Sequence, residues 1–167
     1  MTESLDKLKK ATPFLRWTGS KRWFVKDHIE NFLPRNFSNY HEPFLGAGAV
    51  FFWLKDDSER HYFLTDSNTE LINVYKQLKE FPKELICHLK TFKNSEDNYY
   101  KIRKLSPRSD SKKAARFIYL NRTSFNGIYR VNDKGKYNVP YGKRENVEIV
   151  TLDSFNSVNT CLQDVTL

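Results

Sequence analysis

The chain has no long apolar stretch and few cysteines, and each shortage excludes a class of protein. No window of its 167 residues approaches the roughly 18 consecutive apolar residues of a membrane-spanning helix. Residues 1–10 are charged and lack the apolar core of a secretory signal peptide. Cys87 and Cys161 are far apart and lack the spacing of a metal or redox site, so no metal site is predicted. These shortages predict a cytoplasmic protein with reduced thiols.

Glycine is also scarce, and the positions of two glycines narrow the kind of ligand that the chain could bind. Gly46 and Gly48 follow a short predicted strand and precede the apolar run 49–54, which is predicted to be a helix. The third glycine of the dinucleotide motif is absent, and no Lys-Ser or Lys-Thr pair follows as in a P-loop. A nucleotide-dependent oxidoreductase is therefore disfavoured. A plain strand-to-helix turn without a ligand remains an alternative.

An acidic residue at a suitable distance favours a pocket for an adenosine-containing ligand. Asp66 ends the predicted strand 61–65 and lies twenty residues beyond Gly46. That spacing is typical of a βαβ unit whose carboxylate binds ribose hydroxyls. Since nothing demands a pyrophosphate, S-adenosylmethionine fits this pattern better than a dinucleotide. Trp17 and Lys21 lie on a polar turn and could cover a purine and meet a carboxylate, although this segment alone favours a core tryptophan beside a surface lysine.

Positive charge is concentrated in one segment. Residues 101–144 contain thirteen Lys or Arg and two acids, which gives +11, whereas the remainder of the chain carries −3. Within this segment, strands at 128–131 and 136–139 are predicted to form a hairpin around the turn 132–135. Such a basic, aromatic-rich hairpin is typical of a surface that contacts nucleic acid, although a solvated basic face or an ordinary surface hairpin remains possible.

The order of the predicted elements indicates an α/β protein of one domain, or one domain with a small appendage. Strands alternate with helices up to about residue 80, and a run of helices then interrupts the alternation, which predicts an inserted subdomain. The helix after Asp66 is predicted to begin with a capping box of Ser67 and Glu70. The other predicted elements are helices over 21–32, from Pro82, around 99–105 and over 111–121, a strand over 147–150, a helix around 152–158, and a strand beginning at 163–167.

Four segments of the chain, taken in order, resemble the DNA adenine methylase family, which transfers a methyl group from S-adenosylmethionine to the exocyclic nitrogen of adenine. Residues 13–21 (PFLRWTGSK) resemble its N-terminal cofactor motif, and residues 42–51 (EPFLGAGAVF) its glycine motif. Residues 64–68 (LTDSN) are similar to its ribose-binding acid motif. Residues 121–142 match its target-recognition hairpin.

The resemblance implies a role for individual residues. The cofactor S-adenosylmethionine would be bound by Trp17, Lys21, Glu42, Phe44, Gly46 and Asp66. Double-stranded DNA would be bound by Arg122, Phe125, Asn126, Ile128, Arg130 and Pro140. In this scheme Phe125 is a wedge at the site of the flipped adenine, and the target is GATC or a related sequence in a restriction-modification or DNA-methylation system.

One part of the family pattern is missing from these 167 residues. The family's catalytic motif is an Asp, Asn or Ser followed by Pro-Pro and an aromatic residue. None of the six prolines are adjacent, so no catalytic residue is assigned. We therefore expect the N-terminal portion of a methyltransferase, truncated or split and inactive alone, with an incomplete Rossmann-like sheet and possible complementation by a C-terminal polypeptide. The expected division is 1–80 for cofactor binding, 81–145 for DNA recognition and 146–167 for the return to the α/β domain. The alternative is a non-catalytic basic DNA-binding module with a vestigial cofactor pocket.

Overall fold

The computed structural model of the chain describes residues 11–56, 59–149 and 151–167. Its elements are α1 (Arg22–Asp27), a 3₁₀ turn (Ile29–Asn31), β1 (Asn39–Glu42), α2 (Ala49–Leu54), β2 (His61–Leu64), α3 (Thr69–Glu80), α4 (Pro82–Lys90), α5 (Glu96–Lys104), α6 (Asp110–Thr123), a second 3₁₀ turn (Phe125–Gly127), α7 (Leu152–Leu162) and β3 (Val165–Thr166). The charged leader considered above, residues 1–10, lies outside the described residues.

The three strands form a parallel sheet in the order β1–β2–β3. Asn39 pairs with His61 and Glu42 with Leu64, so the carboxyl ends of β1 and β2 finish side by side. The strand beginning expected near the last residues is confirmed as β3, which extends the sheet beyond β2. A parallel sheet with crossover helices confirms the predicted α/β class.

The N-termini of α3 and α4 lie close to the predicted positions. The cap of the helix after Asp66 is Asn68 rather than Ser67, because the Asn68 side chain accepts a hydrogen bond from the N–H of Leu71. The predicted capping box is therefore wrong, and the Glu70 carboxylate accepts instead from the hydroxyl of Tyr129. Pro82 occupies the first turn of α4 as predicted.

One continuous core joins the sheet to the later helices. Helix α6 packs against α3, α4 and α5. Its Ile118 is fully buried in the same cluster as Phe51 of α2 and Leu64 of β2. The predicted helix over 111–121 is thus confirmed within longer bounds, and it shares its core with the α/β part of the molecule.

Two predicted strand segments differ in the structure. Over 128–139 the chain does reverse at 132–135, but Val131 and Tyr137 form only an isolated antiparallel bridge. Main-chain hydrogen bonds from the N–H of Asn132 to Lys136 and from the N–H of Asn138 to Arg130 hold the reversal. Side chains add to them: Asn132 Oδ1 accepts from two turn N–H groups, and the Tyr137 hydroxyl donates to the carbonyl of Ile128. Residues 147–149 form no strand, and Val150, the last residue of that prediction, lies outside the described residues.

The longest helix in the described ranges has 14 residues, and no helix there has the length and hydropathy needed to span a bilayer.

Candidate functional site

A cavity of about 520 Å³ opens at the carboxyl ends of β1 and β2. Open α/β sheets place their ligands at this edge, because turns and helix N-termini converge there. The structure brings all the predicted cofactor-binding residues to this one cavity, whose walls include Trp17, Lys21, Glu42, Phe44, Gly46 and Asp66. Three stretches of the chain, around residues 17–21, 42–49 and 66, therefore meet at a single site.

The glycine turn is tied to Asp66 by main-chain hydrogen bonds. The N–H of Gly46 donates to Asp66 Oδ2 at 2.9 Å, and the N–H of Asn68 donates to Oδ1 at 2.9 Å. Each carboxylate oxygen retains a lone pair that a ligand hydroxyl could use. Gly46 has a φ of +51°, and a Cβ there would lie 2.7 Å from Cδ1 of Trp17. Only glycine therefore leaves the tryptophan ring its present place in the cavity wall.

Glu42 is a carboxylate in a partly desolvated position at the end of β1. Burial raises its pKa to about 7, although hydrogen bonds from the Tyr40 hydroxyl (2.9 Å) and the Phe51 N–H (3.1 Å) oppose the shift. Both bonds end on Oε2. Near neutral pH this side chain can therefore hold a proton or, beside a cationic ligand, release it.

The other wall of the cavity is aromatic and cationic. The Trp17 ring is half-buried and stacks on Phe117 and Tyr129, with centroids 6.2 and 5.9 Å apart. Lys21 Nζ donates a hydrogen bond to the Gly19 carbonyl at 2.7 Å, which holds the ammonium group at the cavity wall. The side chain of Phe44 is 85% exposed.

These groups fit S-adenosylmethionine. The volume lies within the range of roughly 300–1,000 Å³ typical of small-molecule sites. The face of the Trp17 ring suits the adenine, and the Asp66 carboxylate suits the ribose hydroxyls. The Glu42 side chain suits the ammonium group of the methionine part, and Lys21 suits its carboxylate. The glycine turn provides the close backbone approach that an adenosyl group needs.

Most of the predicted DNA-contacting residues lie on one exposed surface beside this cavity. Phe125 is 51% exposed, its N–H donates to the Pro140 carbonyl at 2.9 Å, and Pro140 is itself exposed. Asn126, in the same 3₁₀ turn, is exposed and has a φ of +53°. Arg130 is exposed and donates from Nε to Asn138 Oδ1 at 2.7 Å.

Two predicted DNA-contacting residues differ from the rest of that surface. Ile128 is half-buried. Arg122 is also half-buried, and its guanidinium donates to the carbonyls of Phe14 (3.2 Å) and Glu148 (2.8 Å). Arg122 therefore joins distant parts of the backbone, and its guanidinium is not freely projected from the surface.

Sequence reasoning missed Asn121, which connects the cavity with the 3₁₀ turn. Its side chain is 2% exposed; Oδ1 accepts from the N–H of Arg16 at 2.9 Å, and Nδ2 donates to the carbonyls of Arg16 (2.6 Å) and Gly127 (3.2 Å). The segment that carries Trp17 is thereby fastened to the turn that carries Asn126. The one available sequence signal was an amide at a position that the helical pattern of α6 buries.

Comparison with known proteins gives a consistent result. Residues 17–167 match the model of the D12 class N6 adenine-specific DNA methyltransferases. The chain is 38% identical to Type II methyltransferase M1.LlaDCHI of Lactococcus lactis subsp. cremoris, over 91% of this chain and 55% of that protein. It is 35% identical to Type II methyltransferase M.MjaIII of Methanocaldococcus jannaschii (92% and 60%) and 43% identical to a DNA adenine methylase of Vibrio cholerae (81% and 49%). The chain spans about half the length of the curated relatives it matches.

Proposed function

Because the chain belongs to the family of D12 class N6 adenine-specific DNA methyltransferases, we propose that it supplies the cofactor-binding and DNA-reading part of a DNA adenine-N6 methyltransferase. The observation that carries the proposal is the meeting of Trp17, Glu42 and Asp66 at one cavity, beside a surface on which Phe125, Arg130 and Lys136 are exposed.

In the cavity, the cofactor S-adenosylmethionine supplies the methyl group when bound. Asp66 accepts hydrogen bonds from the ribose, and Trp17 covers the adenine. Glu42 and Lys21 hold the charged ends of the methionine part. The turn that carries Phe44 and Gly46 forms the floor of the site.

On the adjacent surface, the segment 81–145 provides the recognition unit, and 1–80 and 146–167 the cofactor unit. Phe125 inserts beside the target adenine, since an exposed aromatic ring on a projected turn can separate stacked bases. Asn126 and Arg130 contact base edges, because amide and guanidinium groups can each form paired hydrogen bonds with purines, and Ile128 supplies an apolar contact. The Pro140 carbonyl supports the turn by accepting from the N–H of Phe125. Arg122 holds the backbone just before the turn in position.

Methyl transfer needs a polar group and an aromatic ring at the flipped base. These 167 residues contain no Pro-Pro pair to carry them. We therefore propose that a second polypeptide segment completes the catalytic site, and that the 167-residue chain binds both ligands without turnover. Methylation of duplex DNA by the purified 167-residue chain would refute this part of the proposal.

Calorimetry with S-adenosylmethionine tests the cofactor assignment. We expect measurable binding to the wild-type chain and a loss of at least about tenfold in Asp66→Ala, because a charge-assisted hydrogen bond contributes about 1.5–3 kcal/mol. Asp153→Ala is the matched control, since Asp153 is exposed on α7 and does not line the cavity. A chain that binds duplex DNA but ignores the cofactor would instead be a DNA-binding module with a vestigial pocket.

A further inference from the structure

Four arginines lie near the 3₁₀ turn Phe125–Gly127, here called the recognition turn, although they come from three separate parts of the chain. They are Arg16, Arg22, Arg122 and Arg144, named here the arginine cluster.

The backbone clamps three of these guanidiniums. Arg22 Nη2 donates to the carbonyl of Pro13 at 2.8 Å, and Arg122 Nη1 donates to the next carbonyl, that of Phe14, at 3.2 Å. Arg144 Nη2 donates to the main-chain carbonyl of Arg122. Since neutral carbonyls hold them, these contacts fix the side chains but leave their positive charges uncompensated.

The arginines repel one another. Burial lowers the pKa of the Arg122 guanidinium, and the positive charges of the other three arginines lower it further. The carboxylate of Glu148 acts in the opposite direction but is solvent-exposed. Burial and then the charge of Arg16 likewise lower the pKa of the Arg144 guanidinium. Four cations beside one exposed carboxylate leave a local excess of positive charge.

Two of the guanidiniums also have unused hydrogen-bonding capacity. Across the described residues, the buried Nε atoms of Arg122 and Arg144 have no acceptor. Buried donors without partners are uncommon in folded proteins and need a reason. An anion that draws these side chains into a slightly different position would satisfy them and offset the repulsion.

The location of the arginine cluster indicates which anion this is. The N–H of Gly142 donates to the Thr123 carbonyl at 2.9 Å, next to Arg122, where the recognition segment returns on itself. Arg16 lies against Gly127, because a Cβ there would be 2.5 Å from the Arg16 Cβ. The cluster thus borders the same turn that presents Phe125. A strand whose bases reach that turn would bring its backbone phosphates over the arginines.

We propose that the arginine cluster is a phosphate-binding site that clamps the DNA backbone next to the bases met by the recognition turn. The inference rests on the proposed DNA-binding function and adds Arg16, Arg22 and Arg144 to it. Arginine suits the role, because its planar group bonds two phosphate oxygens at once.

Fluorescence anisotropy with a labelled duplex, measured over a range of salt concentrations, tests the site. In Arg22→Gln and Arg144→Gln we expect the slope of log K against log salt to fall by about one, as one phosphate contact is lost. The charge-preserving Arg144→Lys should keep the wild-type slope. Arg35→Gln is the matched control, because Arg35 is exposed and lies outside the cluster.

A second measurement covers variants that fold poorly. Inorganic sulfate should raise the melting temperature of the wild-type chain more than that of Arg144→Gln, because exclusion of sulfate from the surface stabilises both proteins alike and the intact cluster alone also gains relief of its repulsion. Unchanged slopes in both Gln variants, an equal loss in Arg144→Lys, or an equal sulfate effect on the wild type and Arg144→Gln would each overturn the proposal. Absence of any DNA binding by the wild-type chain would instead refute the proposed function.

Discussion

Glu42 should make the stability of this protein depend on pH in the direction opposite to that of most carboxylates. Burial raises its pKa from an ordinary value of 4.5 to about 7. Between these two pH values the folded chain keeps a proton that the unfolded chain has released. The stabilisation is therefore fully present below about pH 4.5 and is lost as the pH rises through about 7. At about 1.4 kcal/mol per pH unit, the loss is of the order of 3 kcal/mol.

The experiment compares the wild type with Glu42→Gln, whose amide approximates the protonated carboxyl group. Urea unfolding at pH values from 5 to 8 should show the variant gaining on the wild type by up to about 3 kcal/mol. Taking the difference between the two proteins removes the titration of other groups. Glu80→Gln, at an exposed position at the end of α3, is the control and should show no such trend. Curves for the wild type and Glu42→Gln that stay parallel within about 0.5 kcal/mol would refute the reasoning.

The same group should couple pH to the proposed cofactor. A cationic ligand favours the ionised carboxylate, so the affinity for S-adenosylmethionine should rise as the pH passes through about 7. Calorimetry should show this rise for the wild type and not for Glu42→Gln. A rise of equal size in both proteins would assign the dependence to another group.

Three further substitutions test the geometry. Asn121→Ala leaves the partly buried N–H and carbonyl of Arg16 without their partner, so urea unfolding should show a loss of about 2–4 kcal/mol. Wild-type stability in this variant would contradict the link between Asn121 and Arg16. Gly46→Ala places a Cβ 2.7 Å from the Trp17 ring at a φ of +51°, and should cost about 1–3 kcal/mol in the same assay and weaken cofactor binding in calorimetry; normal affinity would exclude close approach there. Phe125→Ala, at an exposed site, should change stability by less than about 0.5 kcal/mol yet weaken duplex binding severalfold in anisotropy; unaltered binding would exclude the wedge.

Local pattern was sufficient where neighbours in sequence are also neighbours in space. The strand, glycine turn and helix around Gly46 need only the conformational freedom of glycine and an apolar run. The position of Asp66 at the end of β2 follows from the alternation of elements. The hydrogen bond between Gly46 and Asp66 has the twenty-residue separation that the motif predicts.

Local pattern misled where side chains supplement a short stretch of main-chain pairing. In the segment 128–139 the N–H groups of Asn132 and Asn138 donate to the carbonyls of Lys136 and Arg130, but Asn132 Oδ1 and the Tyr137 hydroxyl satisfy neighbouring backbone groups, and the pairing amounts to an isolated bridge. The predicted cap at Ser67 failed for a related reason. The Asp66 carboxylate already accepts from the N–H of Asn68, which places Asn68 as the first capping residue.

The sequence by itself determined the α/β class, the family, and the set of residues that could hold an adenosyl group, because these depend on short-range geometry and residue chemistry. Only the tertiary structure decided how that set is joined to the surface that we propose contacts DNA. Asn121 bonds Arg16 across 105 residues, and Arg122 bonds Phe14 across 108. Packing of α6 brings these groups together, and contacts between residues so distant along the chain have no signature in a local pattern.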